Sequence, residues 1–488
     1  MMPLAPPRPV HPWLKKLLVA FVPGETSSLM EQVVDGLLEQ FQSLGHQVRT
    51  SPEGRTDLVL TTARFGEPLP WRKALFFTAR KRFGLENNPA IYTLVQVGTR
   101  EYQAALDHFQ AALEREPPNP ADFEFPGLAP DSNRVLLEQS RRGGPILALE
   151  RQVQAQAKSI RVLLIIGDDR PLWAHHFDLV GAHPRIDMVE GNGFYQDLAL
   201  RMVTVLSTEE VTDHEVVAGL VPQAEWAALE APKGMLLAGS ELGRRGFFTE
   251  MVRISDLVAV PAVSEGVANQ YSEGCFATWD PKLGALIATV TGSARPVDKD
   301  AIGENDLAVI VGVRPDGKGA LVRHVAGKRN DPPSSEAVEM MEMDSLLPKI
   351  RLDKKWETQA TVPVVRSKLH GHRGIAAYDP ARVEHVALEP TYYHYPVSCA
   401  TQAQAWAIKD AFARSAALQD TADPRQLVFT VLPGHGVVIA EKWLPGKAPF
   451  QAIWEAIDAG ELEISNKVPQ GLLRYVPGPN GRMILKEG

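Results

Sequence analysis

The chain has 488 residues, a formal net charge of −8 and a pI near 5.9; 44% of its residues are hydrophobic and 23% are charged. That composition belongs to a soluble globular protein too long for one ordinary core, and it excludes a general electrostatic attraction to nucleic acid or to an anionic membrane. Two cysteines, Cys275 and Cys399, exclude a disulfide scaffold and point to a reducing, cytoplasmic setting.

In chain order, the first apolar run is "LLVAFV", behind Lys15 and Lys16. Its six residues fall far short of the roughly 20 a membrane span needs. It leads straight into a helical pattern with no small-residue cleavage site, so it reads as a buried strand and not as a leader. Leu29, Val33, Leu37, Leu38 and Phe41 then keep helical spacing, with Gly45 where that helix would stop. "TDLVLTTA" and "AIYTLVQVG" read as strands and "REYQAALDHFQAALERE" as a helix. This alternation predicts a parallel α/β, Rossmann-like region over residues 1–135. "VPGETSS" lacks the Gly-x-x-x-x-Gly-Lys pattern of a phosphate loop.

"EPPNPADFEFPGLAPDSN", residues 116–133, is Pro-rich and polar, as a linker would be. "SIRVLLIIGDD" marks a second α/β region over 136–232, which also reads as one domain with the first. His175, His176 and His183 follow in "PLWAHHFDLVGAHP"; adjacent residues share no helix face, so ordinary packing outweighs metal binding there. A boundary near "EAPKG" opens a third region, 233–488. Its reading begins with a helix in "GSELGRRGFFTEMVRISDLVAVPA" and a glycine-containing loop in "NQYSEGCFATWDPKLG". The strands "ALIATV" and "DLAVIVGV" come next, on either side of the turn "TGSARP".

The chemistry gathers in that third region. In "RSKLHGHRGI", His370 and His372 point to one face if the segment is a strand. Two imidazoles are half of a metal site. His435, 63 residues after His372, follows the strand "LVFTVL" and lies between Gly434 and Gly436, which let other groups approach the backbone closely. Three histidines with an open fourth position are a catalytic and not a structural arrangement. They suit zinc first, with manganese, cobalt or iron as alternatives. Upstream, Ser334, Ser335 and Glu336 open a helix-like run in "RNDPPSSEAVEMMEMD", where free N–H groups and hydroxyls form an anion cradle.

The order of these elements resembles the class II aldolase/adducin family over about residues 235–465. The chain reads Glu273-Gly274-Cys275-Phe276-Ala277, Thr289-Val290-Thr291-Gly292, Ser334-Ser335-Glu336, His370-Gly371-His372 and His435-Gly436. The family has, in that order, Gly-Asn-x-Ser, Thr-Pro-x-Gly, Ser-Ser-Glu, His-x-His and a later His-Gly. The resemblance implies a class II aldolase-like α/β/α domain with His370, His372 and His435 as ligands of a divalent metal. It makes Glu336 the acid/base and places Gly274, Thr291, Gly292, Ser334 and Ser335 where the family grips a substrate phosphate. Cys275 and Ala277 replace the asparagine and serine of that grip, which speaks against a phosphorylated substrate. The gap of 34 residues between Glu336 and His370 is long for the family.

By the same resemblance the protein is a metal-dependent lyase. It would act on a small hydroxy-carbonyl substrate of sugar or sugar-acid type through an enediolate, by aldol cleavage or formation. Epimerisation, dehydration and decarboxylation are alternatives within the family, and a non-catalytic aldolase-like scaffold is the alternative outside it. The resemblance also implies a homo-oligomer, a ring of four, with sites between subunits. Tyr392, Tyr393 and Tyr395 are candidates for the tyrosine that relatives use as a proton donor, although packing outweighs that role for each.

Overall fold

The computed structural model describes residues 10–128, 132–177, 185–188, 193–248, 274–291, 299–352, 360–465, 469 and 472–486. The fold is mixed α/β in two compact units. The first takes the described residues up to Ser207 together with His394–Pro396, and the second takes those of Thr208–Tyr393 and of Val397 onward. The division therefore falls at Ser207/Thr208 and not at 232/233. Residues 1–135 and 136–207 share one sheet and form one unit.

The first unit is built on seven strands: β1 (Leu18–Val22), β2 (Gln47–Arg49), β3 (Leu58–Arg64), β4 (Ala90–Val97), β5 (Arg161–Ile166), β6 (Trp173–Phe177) and β7 (Ile186–Asp187). Their order is β2-β1-β3-β4-β5-β6-β7. The first five are parallel, β6 runs antiparallel to β5, and β7 runs antiparallel to β6. Parallel strands are buried on both faces, and β3 is accordingly buried from Leu58 to Ala63 and β5 from Val162 to Ile166. Helices Ser28–Ser43 and Gly193–Ser207 cover one face; Thr99–Glu114 and Asn133–Ala157 cover the other. Ser27 caps the first helix by accepting from the Met30 N–H, and Gly45, with φ +81°, ends its turn. His175 and His176 lie buried in β6, where Tyr102 Oη is 3.3 Å from His175 Nε2. Burial pushes His175 down to about 4, so it packs as a neutral ring. His183 lies outside the described residues.

The second unit holds a nine-stranded sheet in the order β17-β18-β19-β15-β9-β10-β11-β12-β8. Its strands are β8 (Glu215–Val221), β9 (Cys275–Asp280), β10 (Ala285–Thr289), β11 (Leu307–Val313), β12 (Ala320–Val325), β15 (Val365–Gly371), β17 (Val383–His385), β18 (Leu427–Leu432) and β19 (Gly436–Lys442). Two small sheets complete it: β13 (Lys349–Arg351) with β14 (Thr361–Pro363), and β16 (Gly374–Tyr378) with β20 (Leu462–Ser465), β21 (Arg474–Pro477) and β22 (Met483–Lys486). Side-chain alternation divides the large sheet's strands between two cores. Phe276, Ile287, Leu369 and Ile439 pack with helices Ala231–Arg244 and Gln451–Asp458. Ala277, Leu286 and Ala288 pack with helix Glu336–Met343, and Val438 and Ala440 pack with helix Gln402–Ala413.

Two sequence expectations fail in this unit. "EAPKG" is not a boundary: Ala231–Arg244 is a helix of the second unit with Met235, Ala238 and Leu242 buried. Pro232 fits its first turn. A Cβ on Gly234 would come 2.6 Å from Pro449 Cγ, and one on Gly239 would come 2.4 Å from the Lys299 carbonyl. Both glycines therefore serve close packing. The helix stops at Arg245 and Gly246, and residues 249–262 of the expected helix lie outside the described residues. The second failure is "CFATWD", expected as loop, which is β9 and pairs with β10 and β15. The glycine and polar residues before it hid the alternation of Phe276 and Thr278 toward one side with Cys275 and Ala277 toward the other.

Lys368, on the same face of β15 as His370, is fully buried and ion-pairs with Asp344 at the C-terminal end of helix Glu336–Met343. The helix is thus tied to β15 at both ends, because Glu336 at its start meets His370. Lys368→Met strands a buried carboxylate. The expected loss is about 3–5 kcal/mol, read as a lowered midpoint in urea unfolding; a change within about 0.5 kcal/mol, as at an ordinary surface site, would remove the tie. Among the described residues no helix is long and apolar enough to cross a membrane.

Candidate metal centre

Antiparallel pairing brings the motif residues to one end of the large sheet. Across β9, β15 and β19, His370 is registered with Cys275 on one side and with Val438 on the other. His370 is the last residue but one of the strand, and His372 follows in the bend after Gly371. His435 sits in the turn that joins β18 to β19. Glu336 is the first residue of the helix on the same face.

The side chains converge. His372 Nε2 is 3.1 Å from His435 Nε2, and His370 Nε2 is 3.2 Å from Glu336 Oε1. His435 Nε2 is 3.9 Å from that same oxygen. One donor atom from each of the four residues lies within 4.8 Å of every other, and this is the group among the described residues that could hold a metal ion. His370 and His435 are buried, and the Glu336 side chain is 12% exposed.

The donors fit a divalent cation. His370 Nδ1 lies 3.2 Å from the Val437 carbonyl, which selects the tautomer with Nδ1–H and leaves the Nε2 lone pair for a metal. Two nitrogens at about 2.0–2.1 Å from a tetrahedral zinc ion stand roughly 3.3 Å apart, close to the 3.1 Å between His372 and His435. Imidazole nitrogens suit zinc, and equally iron or cobalt, so the residues leave the metal's identity open.

Glycines give the ligands their room. A Cβ on Gly436 would come 2.1 Å from the Gly371 carbonyl oxygen, and one on Gly371 2.2 Å from Phe247 Cε1. Gly274, at φ +79°, has space only for hydrogen on the side of the His370 carbonyl, 2.7 Å from a Cβ position. These three glycines set the spacing of the strand ends that carry the histidines. Gly436→Ala is expected to lose about 1–3 kcal/mol by overpacking and to loosen metal binding as His435 moves. Unchanged affinity in a metal titration would disconnect that glycine from the centre.

Thr291, Ser334 and Ser335 lie in two segments joined to each other just before Glu336. Val290 bridges to Pro333, Ser334 N–H donates to the Thr289 carbonyl and Thr291 N–H donates to the Pro332 carbonyl. Ser335 precedes the helix, and its hydroxyl does not cap it. The Ser334 hydroxyl interacts with the Cys275 thiol, which also accepts from Thr289 Oγ1 at 3.4 Å. Burial, with Glu336 adding, pushes that thiol up to about 12, so it is no nucleophile. Gly292 lies outside the described residues. Tyr392 and Tyr393 are buried in the core against helix Gln402–Ala413. In the first unit, the Tyr395 hydroxyl donates to Asp197.

Glu336 is held as a carboxylate. Burial opposes its ionisation, but with no metal bound a protonated His370, by charge and hydrogen bond, together with His435 and Lys299, outweighs burial and holds it at about 2. Glu339, one turn on, goes the other way: burial and the Glu336 charge keep it protonated, while Gln404 donates to it. Sequence reasoning missed Lys299, Thr289 and Glu339. Lys299 lies outside any ligand-like pattern, and Thr289, though it opens the Thr289-Val290-Thr291-Gly292 motif, carried no expected role. Glu339 shares a helix face with Glu336 by its three-residue spacing, the one signal available. Compared with protein-family models, with curated proteins and with solved structures, the chain matches none.

Proposed function

We propose that the second unit is a metal-dependent carbon–carbon lyase acting on a small hydroxy-carbonyl compound, with aldol cleavage or formation as its reaction. The observation that carries this reading is the convergence of His370, His372, His435 and Glu336 on one point at the end of a sheet. The order of the surrounding motifs, similar to the class II aldolase/adducin family, supports the choice of reaction.

His370, His372 and His435 would hold the cation. Bound there, a divalent metal supplies a Lewis acid for negative charge that develops on carbonyl and hydroxyl oxygens of the substrate. Glu336 does the proton transfer. As a carboxylate beside the cation position, it accepts the proton from the carbon next to the carbonyl at Oε1 or Oε2 and returns it to the product. The Lys368–Asp344 pair fixes the far end of its helix and so its distance from His370. The buried walls of the sheet end, Cys275 among them, keep water from the reacting carbon.

The test is exchange. Metal-loaded protein should catalyse incorporation of deuterium from heavy water into the α-carbon of simple hydroxy-ketones, a step common to aldol cleavage and its alternatives. Absence of exchange across carboxylated, phosphorylated and neutral hydroxy-ketones would refute a proton-abstracting role.

A further inference from the structure

Away from the metal centre, the second unit builds a cavity of about 560 Å³ between the start of helix Ala231–Arg244 and the loop after β19. Ligand pockets commonly measure about 300–1,000 Å³, with apolar walls and a few convergent polar groups. The apolar walls here come from Leu237, Pro445, Ala448 and Pro449. Among the described residues its charged lining is Arg366, Lys233 and Lys447 with Glu230. Arg366 is buried, 7% exposed, and reaches the cavity through an irregularity in the sheet. The register of β15 on β19 shifts between Val365 and Ser367. Regular alternation would put Arg366 on the face of Lys368 and His370. The extra residue turns it toward helix Ala231–Arg244 instead, as bulges re-aim side chains. His370 lies four residues further along β15, roughly 13 Å away at the rise of a strand.

The cavity is preformed. Leu444 to Lys447 make a turn, closed by the Lys447 N–H on the Leu444 carbonyl at 3.3 Å, with Gly446 at φ +73°. Arg366 Nη1 donates to the Lys447 carbonyl at 2.6 Å, and its guanidinium carbon lies 5.0 Å from the Trp443 ring centroid. These two contacts fix the guanidinium in place. Further along the loop, Ala448 N–H donates to Gln451 Oε1 and Phe450 N–H to Glu441 Oε2. The carboxylates that act on Arg366 are Glu441, Glu230 and Asp280. Glu441 accepts from the N–H groups of Phe450 and Ala452, and Asp280 accepts from those of Lys282 and Leu283. Lys447 is paired with Glu455. On the cavity wall, Arg366 and the exposed Lys233 then outweigh Glu230. We propose that this cavity binds an organic anion, a carboxylate or phosphate on a short apolar chain, with Arg366 at the charged head and Lys233 at the mouth. An apolar hollow with a fixed guanidinium in its wall matches that chemistry. The proposal stands apart from the lyase reading of the metal centre.

The test titrates the full chain by calorimetry with hexanoate, hexyl phosphate and hexan-1-ol, which share one apolar chain and differ in the head. Wild-type protein should bind at least one of the two anions ~10-fold or more tightly than hexan-1-ol, the scale of a charge-assisted hydrogen bond. The tighter anion names the head group. Arg366→Met should abolish that preference. Because removing a buried arginine also removes packing, Lys233→Glu, at an exposed position, is measured beside it. It should weaken the anions by roughly 5-fold while the thermal midpoint and the hexan-1-ol affinity stay. His435→Ala should bind both anions as the wild type does, which separates this cavity from the metal centre. Failure of both anions to bind, or equal affinity for the alcohol, overturns the proposal. So does a preference unchanged in Lys233→Glu or in folded Arg366→Met. Anion binding that disappears in His435→Ala puts the anion on the metal centre and overturns it as well.

Discussion

Glu336→Gln is expected to keep the metal and lose the reaction. The amide has the shape of the carboxylate but no basic oxygen. It fills the same place, 3.2 Å from His370 Nε2 at Glu336 Oε1 in the wild type. Turnover should fall ~10²-fold or more, the usual scale for a missing general base. α-Proton exchange should fall by the same factor, because exchange reports the first step alone. The position of Glu336 within the 4.8 Å ligand cluster makes one other outcome informative. If Glu336→Gln sheds the metal, the carboxylate is a fourth ligand, and the open position the reaction needs is closed. Full exchange in the variant would move the base elsewhere, and Glu339 would be unsuited to it because burial and Glu336 keep it protonated.

His435→Ala has the second large effect. The residue lies in the turn between β18 and β19 and not inside a strand, so its removal leaves the ladder of β15, β19 and β18 intact. Metal affinity should drop by more than ~100-fold, beyond the ~10–100-fold cost of losing an outer hydrogen-bond partner. His370→Ala should do the same, with a larger stability loss because its ring is buried and meets the Val437 carbonyl. Elemental analysis after dialysis checks both. Retention of wild-type metal content in either variant would remove that residue from the ligand set.

The cluster of His370, His372, His435 and Glu336 was legible in the sequence because its parts are local. His-x-His at the end of an apolar strand, His-Gly after another, and Ser-Ser-Glu before a helix each sit where short-range pattern and backbone agree. The parallel strands β3, β4 and β5 were legible for the same reason, as short apolar runs bounded by turns. What stayed hidden depends on tertiary packing. Gly234 and Gly239 lower helix propensity, yet they sit in a helix because Pro449 and the Lys299 carbonyl press against them. Gly274 read as a substrate-binding glycine, whereas its close neighbours are the His370 carbonyl and Gly371; Gly436, read as clearing room for other groups, does meet the backbone of Gly371 and His372. Lys299 carries no pattern at all: a lysine in a polar stretch is normally solvated, and only the fold shows it buried. The boundary at Ser207/Thr208 was missed because β8, read as part of the N-terminal half, pairs with β12 of the second unit.

The most direct measurement is an anomalous difference map at the zinc absorption edge, from crystals of the full chain grown with zinc and soaked free of excess. One strong peak per chain, within about 2.0–2.1 Å of a ring nitrogen of each of His370, His372 and His435, is the result expected here. A map with no peak among those rings, or with zinc held only by surface carboxylates, would contradict the metal centre and the lyase reading built on it.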